Sequence, residues 1–343
     1  MELQKQELED IKSLLSYPKS IAILSHRNPD GDAIGSSLGL RGYLNKYNHN
    51  VKVILPSEYP DTFLFLDGID STIIFDSEKK RAEETIAKAD IIFCLDFNSL
   101  DRIDKIAPFV RDAKATKILI DHHLDPEPFA DYIYSDTTAS STCEMVLDFI
   151  QLLGDASRLD PKIREALITG IITDTGSFKY ATRSKTYTAA ADLKNVGVDD
   201  YWLQDKIFNR VTEKQMRLLG HCLANRMELI PEYRAGLIAL TKEDYAEWDI
   251  KRGDTEGIVN YLLMMEGIEV AAFIREQPTI VKLSLRSKGD ISVQEICRNH
   301  FNGGGHKNAS GGAAYAKLED IVKRFKTVLP KYITKKTIPS VTD

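Results

Sequence analysis

Cysteine is scarce: the 343 residues contain four, at positions 94, 143, 222 and 297, with no CxxC pair. That spacing argues against a disulfide framework or a zinc ribbon and for reduced core thiols. Excess positive charge is also missing. Lysine and arginine number 45 against 51 aspartates and glutamates, a net charge of −6. This argues against a broad surface for long duplex DNA or an anionic membrane, and leaves room for a small anionic substrate in a local pocket. No apolar run approaches the roughly 20 residues of a membrane-spanning helix. The opening residues, Met1-Glu2-Leu3-Gln4-Lys5, are charged where a signal peptide has its apolar core, so a cytoplasmic location is expected. Internal repeats and low-complexity tracts are absent as well. A chain of this length exceeds the usual size of one hydrophobic core, which predicts two domains.

What the sequence does contain is an alternation of short apolar runs with helical patterns. Residues 21–24, 51–55, 72–75, 91–95 and 117–120 read as strands, and 8–15, 33–47, 82–89, 139–153 and 161–172 as helices. Fully apolar strands separated by helices predict an α/β domain built on a mostly parallel sheet with helices on both faces. From 186 to 229 the pattern is largely helical. Beyond it come a strand and short helix over 233–241, a helix over 255–265 and a hairpin of 269–275 with 280–286 around Gln277-Pro278. A helix over 293–300, a glycine-rich stretch with a last strand, and a helix over 318–328 follow. The expected organisation is a first domain over 1–187, a helical connector over 188–228, and a smaller α/β domain with a mixed sheet over 229–343.

The chemistry gathers at strand ends. His26-Arg27-Asn28-Pro29-Asp30-Gly31-Asp32 follows the first buried run and puts one imidazole and two carboxylates in a tight turn. That mixture suits a divalent cation. It equally suits an ordinary strand-to-helix turn in which Asp30 or Asp32 caps the helix. Asp96 directly follows the run 91–95, and Asp121-His122-His123 follows the run 117–120. Ligands of a doubly wound sheet bind outside the carboxyl ends of its strands, so three such ends carrying acid or imidazole groups favour one shared site. Asp174-Thr175-Gly176 reads either as part of that site or as a turn. Four carboxylates in one pocket, Asp30, Asp32, Asp96 and Asp174, repel one another unless cations offset them. Two divalent ions would balance the four, activate a water and stabilise the leaving oxygen of an in-line displacement at phosphorus. Imidazoles among the carboxylates favour manganese over magnesium.

These residues, in this order, resemble the four motifs of the DHH phosphoesterase superfamily, and Gly303-Gly304-Gly305-His306 is similar to the signature of the C-terminal domain that often accompanies them. The resemblance covers nearly the whole chain. Among members, the layout resembles the short bacterial enzymes that degrade oligoribonucleotides of a few residues and dephosphorylate 3′-phosphoadenosine 5′-phosphate. It implies two Mn2+ ions, with Mg2+ or another divalent ion as a substitute. One would be held by His26, Asp30 and Asp96, the other by Asp32, Asp96, His122 and Asp174. It also implies that Asp121 orients its neighbouring histidine, and that His123 faces the phosphate or protonates the leaving oxygen. In the C-terminal domain, successive glycine amides would form a concave anion site, with Arg286 and His306 contacting phosphate or base. Phe178, Lys179 and Arg183, just past Asp174, read as lining the substrate path, with core packing an equal reading for Phe178. The expected partner is short single-stranded RNA or a small nucleotide, and a homodimer is left open. Rival readings are a phosphodiesterase for cyclic dinucleotides or pApA, a pyrophosphatase or exopolyphosphatase, and a non-catalytic nucleotide sensor.

Overall fold

Continuous runs of isoleucine, leucine and valine fold as parallel strands buried on both faces. In the computed structural model, which describes residues 3–195, 197–251 and 253–335, such runs form β1 (Ser20–Leu24) and β4 (Ile91–Leu95) and the cores of β2 (Asn50–Leu55), β3 (Ile73–Ile74) and β5 (Thr116–Asp121), with β6 (Tyr132–Ser135) added at the edge. They pair in the order β3-β2-β1-β4-β5-β6, every pair parallel. The order reverses between β1 and β4, so the carboxyl ends of these strands flank the switch point of a doubly wound sheet. The accompanying helices are α1 (Lys5–Leu14), α2 (Gly31–Asn45), α3 (Phe75–Ala87), α4 (Ala107–Asp112), α5 (Thr142–Leu152), α6 (Pro161–Asp174), α7 (Ser184–Lys194) and α8 (Asp200–Phe208). Alternate strand residues serve opposite faces. Ile21, Ile23, Phe93 and Ile120 pack with Leu38 of α2, Phe149 of α5 and Leu167 of α6. Ala22, Leu24, Ile92 and Leu119 pack with Ile86 of α3 and Val110 of α4.

One contact in this layer bears directly on the site. Gly31, Gly35, Gly39 and Gly42 recur at about one-turn spacing along the side of α2 that meets α6. A Cβ at Gly35 would lie 2.4 Å from the carbonyl oxygen of Ala166, and one at Gly39 would lie 2.6 Å from the Leu167 side chain. Glycine alone lets the two helices approach this closely, and they carry Asp32 and Asp174.

The chain divides into two units, Met1–Arg210 and Val211–Asp343, so the residues expected to form a connector, 188–228, fall in both. The second unit contains α9 (Glu213–Asn225), β7 (Met227–Ile230), β8 (Ala235–Leu240), α10 (Lys242–Glu247), α11 (Ile258–Leu263), β9 (Val270–Glu276), β10 (Val281–Ser287), α12 (Val293–His300), β11 (Gly304–His306), β12 (Ala309–Ala314) and α13 (Leu318–Tyr332). Its sheet runs β11-β12-β10-β9-β8-β7 and is mixed, with β8 and β9 parallel and the other pairs antiparallel. Ile296, Phe325 and Leu329 from α12 and α13 cover one face through Ala272, Leu283 and Leu285. On the other face Leu218, Cys222 and Leu262 from α9 and α11 cover Ile238 and Phe273, while Ser284, Arg286, Gly311 and His306 stay at least partly exposed.

Several elements differ from expectation, β7 and β6 among them. The helical pattern read through residue 229 gives way to β7 at Met227, because Met-Glu-Leu-Ile is a short, mostly exposed strand at the sheet edge that lacks clear alternation. β6 was not expected, its Tyr-Ile-Tyr-Ser being too short and too polar to stand out. Among the described residues no helix is long and apolar enough to cross a membrane.

Candidate metal centre

The turn after β1 serves both of the purposes its sequence suggests. Asp30 caps α2 through Oδ1, which accepts the amides of Asp32 at 3.0 Å and Ala33 at 3.1 Å. Its other oxygen lies 3.8 Å from His26 Nε2. His26 Nδ1 lies 3.0 Å from the Arg27 carbonyl, a contact that sets the tautomer and leaves Nε2 facing inward, 3.3 Å from Asp96 Oδ2. Asp96 directly follows β4 in a left-handed conformation, φ 64°. Its Oδ1 turns the other way, 3.6 Å from His122 Nε2.

A second cluster forms around that oxygen. His122, just past β5, lies with Nδ1 3.3 Å from the Ala139 carbonyl. Its Nε2 is 3.6 Å from Asp174 Oδ2 and 4.0 Å from Asp32 Oδ2. Asp174 is the last residue of α6, not part of a turn. Asp32, buried in the first turn of α2, accepts the amides of Thr142 at 2.6 Å and Cys143 at 2.9 Å, which stand at the α5 N-terminus and have no partner within that helix. The structure therefore brings together His26, Asp30 and Asp96, and beside them Asp32, His122 and Asp174, the ligand atoms of each set lying within 4.8 Å of one another. His123 sits close as well, but its Nδ1 is 2.8 Å from Asp121 Oδ1, and its amide donates to Asp121 Oδ2 at 3.1 Å. The histidine that Asp121 orients is thus His123, while a backbone carbonyl orients His122.

The electrostatics show what this donor set requires. Burial and the charges of Asp96 and Asp174 push Asp32 well above the usual carboxylate range. Close packing and the charges of Asp96 and Asp30 lift Asp174 to about 7, against the pull of His122. Asp96 moves the opposite way: burial would raise it, but His26, His123 and His122 hold it well below its ordinary value. Burial disfavours charge on His26 and His122, yet the surrounding carboxylates raise both to about 9. Four acids crowded this tightly call for positive charge. Two imidazole nitrogens with fixed tautomers, set among carboxylate oxygens, fit divalent cations.

In the second unit, Arg286 of β10 pairs with Ala309 of β12, which pairs with His306 of β11. Arg286 and His306 therefore lie in one row on one face of the sheet, with a methyl group between them. Gly304 and Gly305 belong to the edge strand β11, not to a concave run of amides. Gly303 is fixed by proximity, since a Cβ there would lie 2.0 Å from the Gly311 carbonyl oxygen. Arg183, read as lining a substrate path, turns inward instead, its Nε donating to Glu144 at 2.7 Å and its Nη1 to Asp136 at 2.7 Å. Phe178 stacks on Tyr187, their ring centres 5.6 Å apart.

The helix expected over 139–153 absorbs residues 139–144, Ala-Ser-Ser-Thr-Cys-Glu, which do not stand out from it in the sequence. The helix begins at Thr142 with Ser141 as its cap, and the preceding residues contact the site. The signal available was Ser141-x-x-Glu144, the capping-box spacing, which moves the helix start to this point.

An all-parallel doubly wound sheet carries acid and imidazole groups at the ends of β1, β4 and β5, and two family matches that together span most of the chain define the class: the chain belongs to the DHH family and is a hydrolase acting on phosphoester bonds. The DHH family N-terminal domain matches residues 20–171, and the DHHA1 domain matches 237–331. The bifunctional oligoribonuclease and PAP phosphatase NrnA of Thermus thermophilus is 31% identical over 90% of this chain and 88% of its own length. The cyclic-di-AMP phosphodiesterase PdeA of Listeria monocytogenes is 26% identical over 86% of this chain, which spans only 45% of that protein. The crystal structure of an exopolyphosphatase-related protein from Bacteroides fragilis superimposes with a TM-score of 0.92 at 38% identity, over 96% of this chain and 98% of that one.

Proposed function

We propose that the protein is a two-ion phosphodiesterase that releases mononucleotides from RNA a few residues long and also removes the 3′-phosphate of 3′-phosphoadenosine 5′-phosphate. The observation that carries the reading is the division of Asp96, whose Oδ2 faces His26 and whose Oδ1 faces His122. One ion would be held by His26, Asp30 and Asp96, the other by Asp32, His122, Asp174 and Asp96. The imidazole and carboxylate mixture favours Mn2+ over Mg2+. When bound, such a pair supplies an activated water and counter-charge for the phosphoryl oxygens.

The protein's own groups do the rest. As water attacks phosphorus and the bond to the leaving oxygen breaks, the His123 imidazolium, stabilised by Asp121 at Nδ1, donates a proton to that oxygen and is left as neutral imidazole. Arg286 binds a phosphate of the nucleotide remainder, and His306 contacts phosphate or base. The Thermus thermophilus relative supports this substrate class. The Listeria monocytogenes relative favours a second reading, hydrolysis of cyclic di-AMP or pApA at the same centre. A panel of RNA two to five residues long, 3′-phosphoadenosine 5′-phosphate, cyclic di-AMP, pApA and pyrophosphate, each with Mn2+, separates the two. The proposal expects the highest kcat/KM on short RNA; a clear preference for cyclic di-AMP would replace it with the second reading.

A further inference from the structure

Several contacts to the site radiate from one short segment. The Ala139 carbonyl lies 3.3 Å from His122 Nδ1, Thr142 Oγ1 donates to Asp96 Oδ1 at 3.1 Å, and the amides of Thr142 and Cys143 donate to Asp32. Each of these falls on the set of Asp32, His122 and Asp174, or on the Asp96 oxygen that faces it. His26 and Asp30 are held from elsewhere, by the Arg27 carbonyl and by the first amides of α2.

The segment is itself anchored from behind. Glu144, fully buried, accepts from Ser140 Oγ at 2.6 Å, Thr186 Oγ1 at 2.7 Å and Arg183 Nε at 2.7 Å. The same guanidinium donates to Asp136 Oδ2 at 2.7 Å and to Thr138 Oγ1 at 2.6 Å. Arg183 thus joins both flanks of residues 136–144, and it closes the stretch of chain that leaves Asp174. A planar, multidentate donor fixes the direction of all these bonds at once, which an ammonium group cannot do.

We infer that Glu144 and Arg183 are positioning residues for the ion held by Asp32, His122 and Asp174, and not for its neighbour. The inference rests on the two-ion reading proposed above. Its observable consequence is asymmetry: loosening the anchor weakens one ion and spares the other.

The test titrates Mn2+ into the wild type and into Arg183→Lys, Glu144→Gln, Thr142→Val and Thr142→Ser. Bound metal is followed by equilibrium dialysis and by the electron paramagnetic resonance signal of a coupled Mn2+ pair, and folding is checked by thermal melting. The wild type should bind two ions. Arg183→Lys and Thr142→Val should keep one ion at wild-type affinity, weaken the other at least tenfold and lose the coupled signal, while Thr142→Ser retains both ions. Glu144→Gln leaves a buried guanidinium short of its counter-charge; if it does not fold, Arg183→Lys and Thr142→Val decide. Folded Arg183→Lys and Thr142→Val proteins that bind both ions within twofold of the wild type would overturn the inference, as would equal weakening of both ions. A wild type that binds fewer than two ions would instead overturn the two-ion reading.

Discussion

Replacing Gly35 by alanine sets two well-known effects against each other, and the structure decides between them. In a helix interior the change should stabilise by about 1 kcal/mol through propensity alone. At this position, however, the new Cβ would lie 2.4 Å from the Ala166 carbonyl oxygen and 3.1 Å from both Cys143 Sγ and the Gly170 amide. Ordinary contact requires relief of about 1 Å, and backbone atoms cannot turn aside as a flexible side chain can. Overpacking of this kind costs about 1–3 kcal/mol. With a backbone oxygen as the obstacle the upper part of that range applies, for a net loss of about 2 kcal/mol once the propensity gain is deducted. In a unit of this size that lowers the melting temperature by roughly 4–8 °C. Moving α2 off α6 also separates Asp32 from Asp174, so Mn2+ affinity should fall together with stability. Gly220→Ala in α9 is the control, because a Cβ there meets nothing within 4 Å and the substitution should stabilise by about 1 kcal/mol. Calorimetric and urea unfolding of both variants reads the outcome. A Gly35→Ala protein as stable as the wild type would refute the close-packing argument.

Other expectations follow from the same geometry. His123→Ala should lower kcat on short RNA by on the order of 10²–10⁴ but have little effect on a p-nitrophenyl phosphoester, whose leaving group needs no proton; an equal loss on both would remove His123 as the acid. Arg286→Ala should raise KM for short RNA on the order of 30-fold, about 2 kcal/mol for one charge-assisted contact, with kcat largely retained; an unchanged KM excludes Arg286 from the site. In the second unit, burial of Asp244 is outweighed by Arg226, the Thr241 amide and His221, which hold its carboxyl at about 2. Because this folded value is depressed, the stabilisation, about 2 kcal/mol, is complete above the ordinary carboxylate range and is lost as pH falls from about 4 to 2. Acid unfolding of Asp244→Asn should be correspondingly shallower over that window, and an identical pH profile would contradict the assignment.

The central strands of the first sheet, and the turns that carry the acid and imidazole groups, were legible in the sequence because fully buried parallel strands need continuous apolar runs, and each such run stops where its polar groups begin. Asp96 and Asp121 stand directly at the ends of Cys94-Leu95 and Leu119-Ile120. The alignment of Arg286 and His306 in one row across Ala309 was not legible, since it depends on the register of β10, β12 and β11, and strands rich in glycine and alanine specify register weakly. The inward turn of Arg183 was hidden for a different reason. Its partner Glu144 is a charged residue within an apolar helix, and only the fold shows that Ser140, Thr186 and Arg183 converge on it. The dual use of Asp30, one oxygen capping α2 and the other facing His26, could not be separated in sequence, because each reading predicts the same residue at the same place.

The central claim is that two ions share Asp96. A crystal structure of the Mn2+-soaked protein, with anomalous difference maps recorded at the manganese edge, tests it most directly. Two peaks roughly 3.5–4 Å apart are expected, one on His26 and Asp30, the other on Asp32, His122 and Asp174, with an Asp96 oxygen on each or between them. A single peak, or a second ion held by His123 in place of His122, would contradict it.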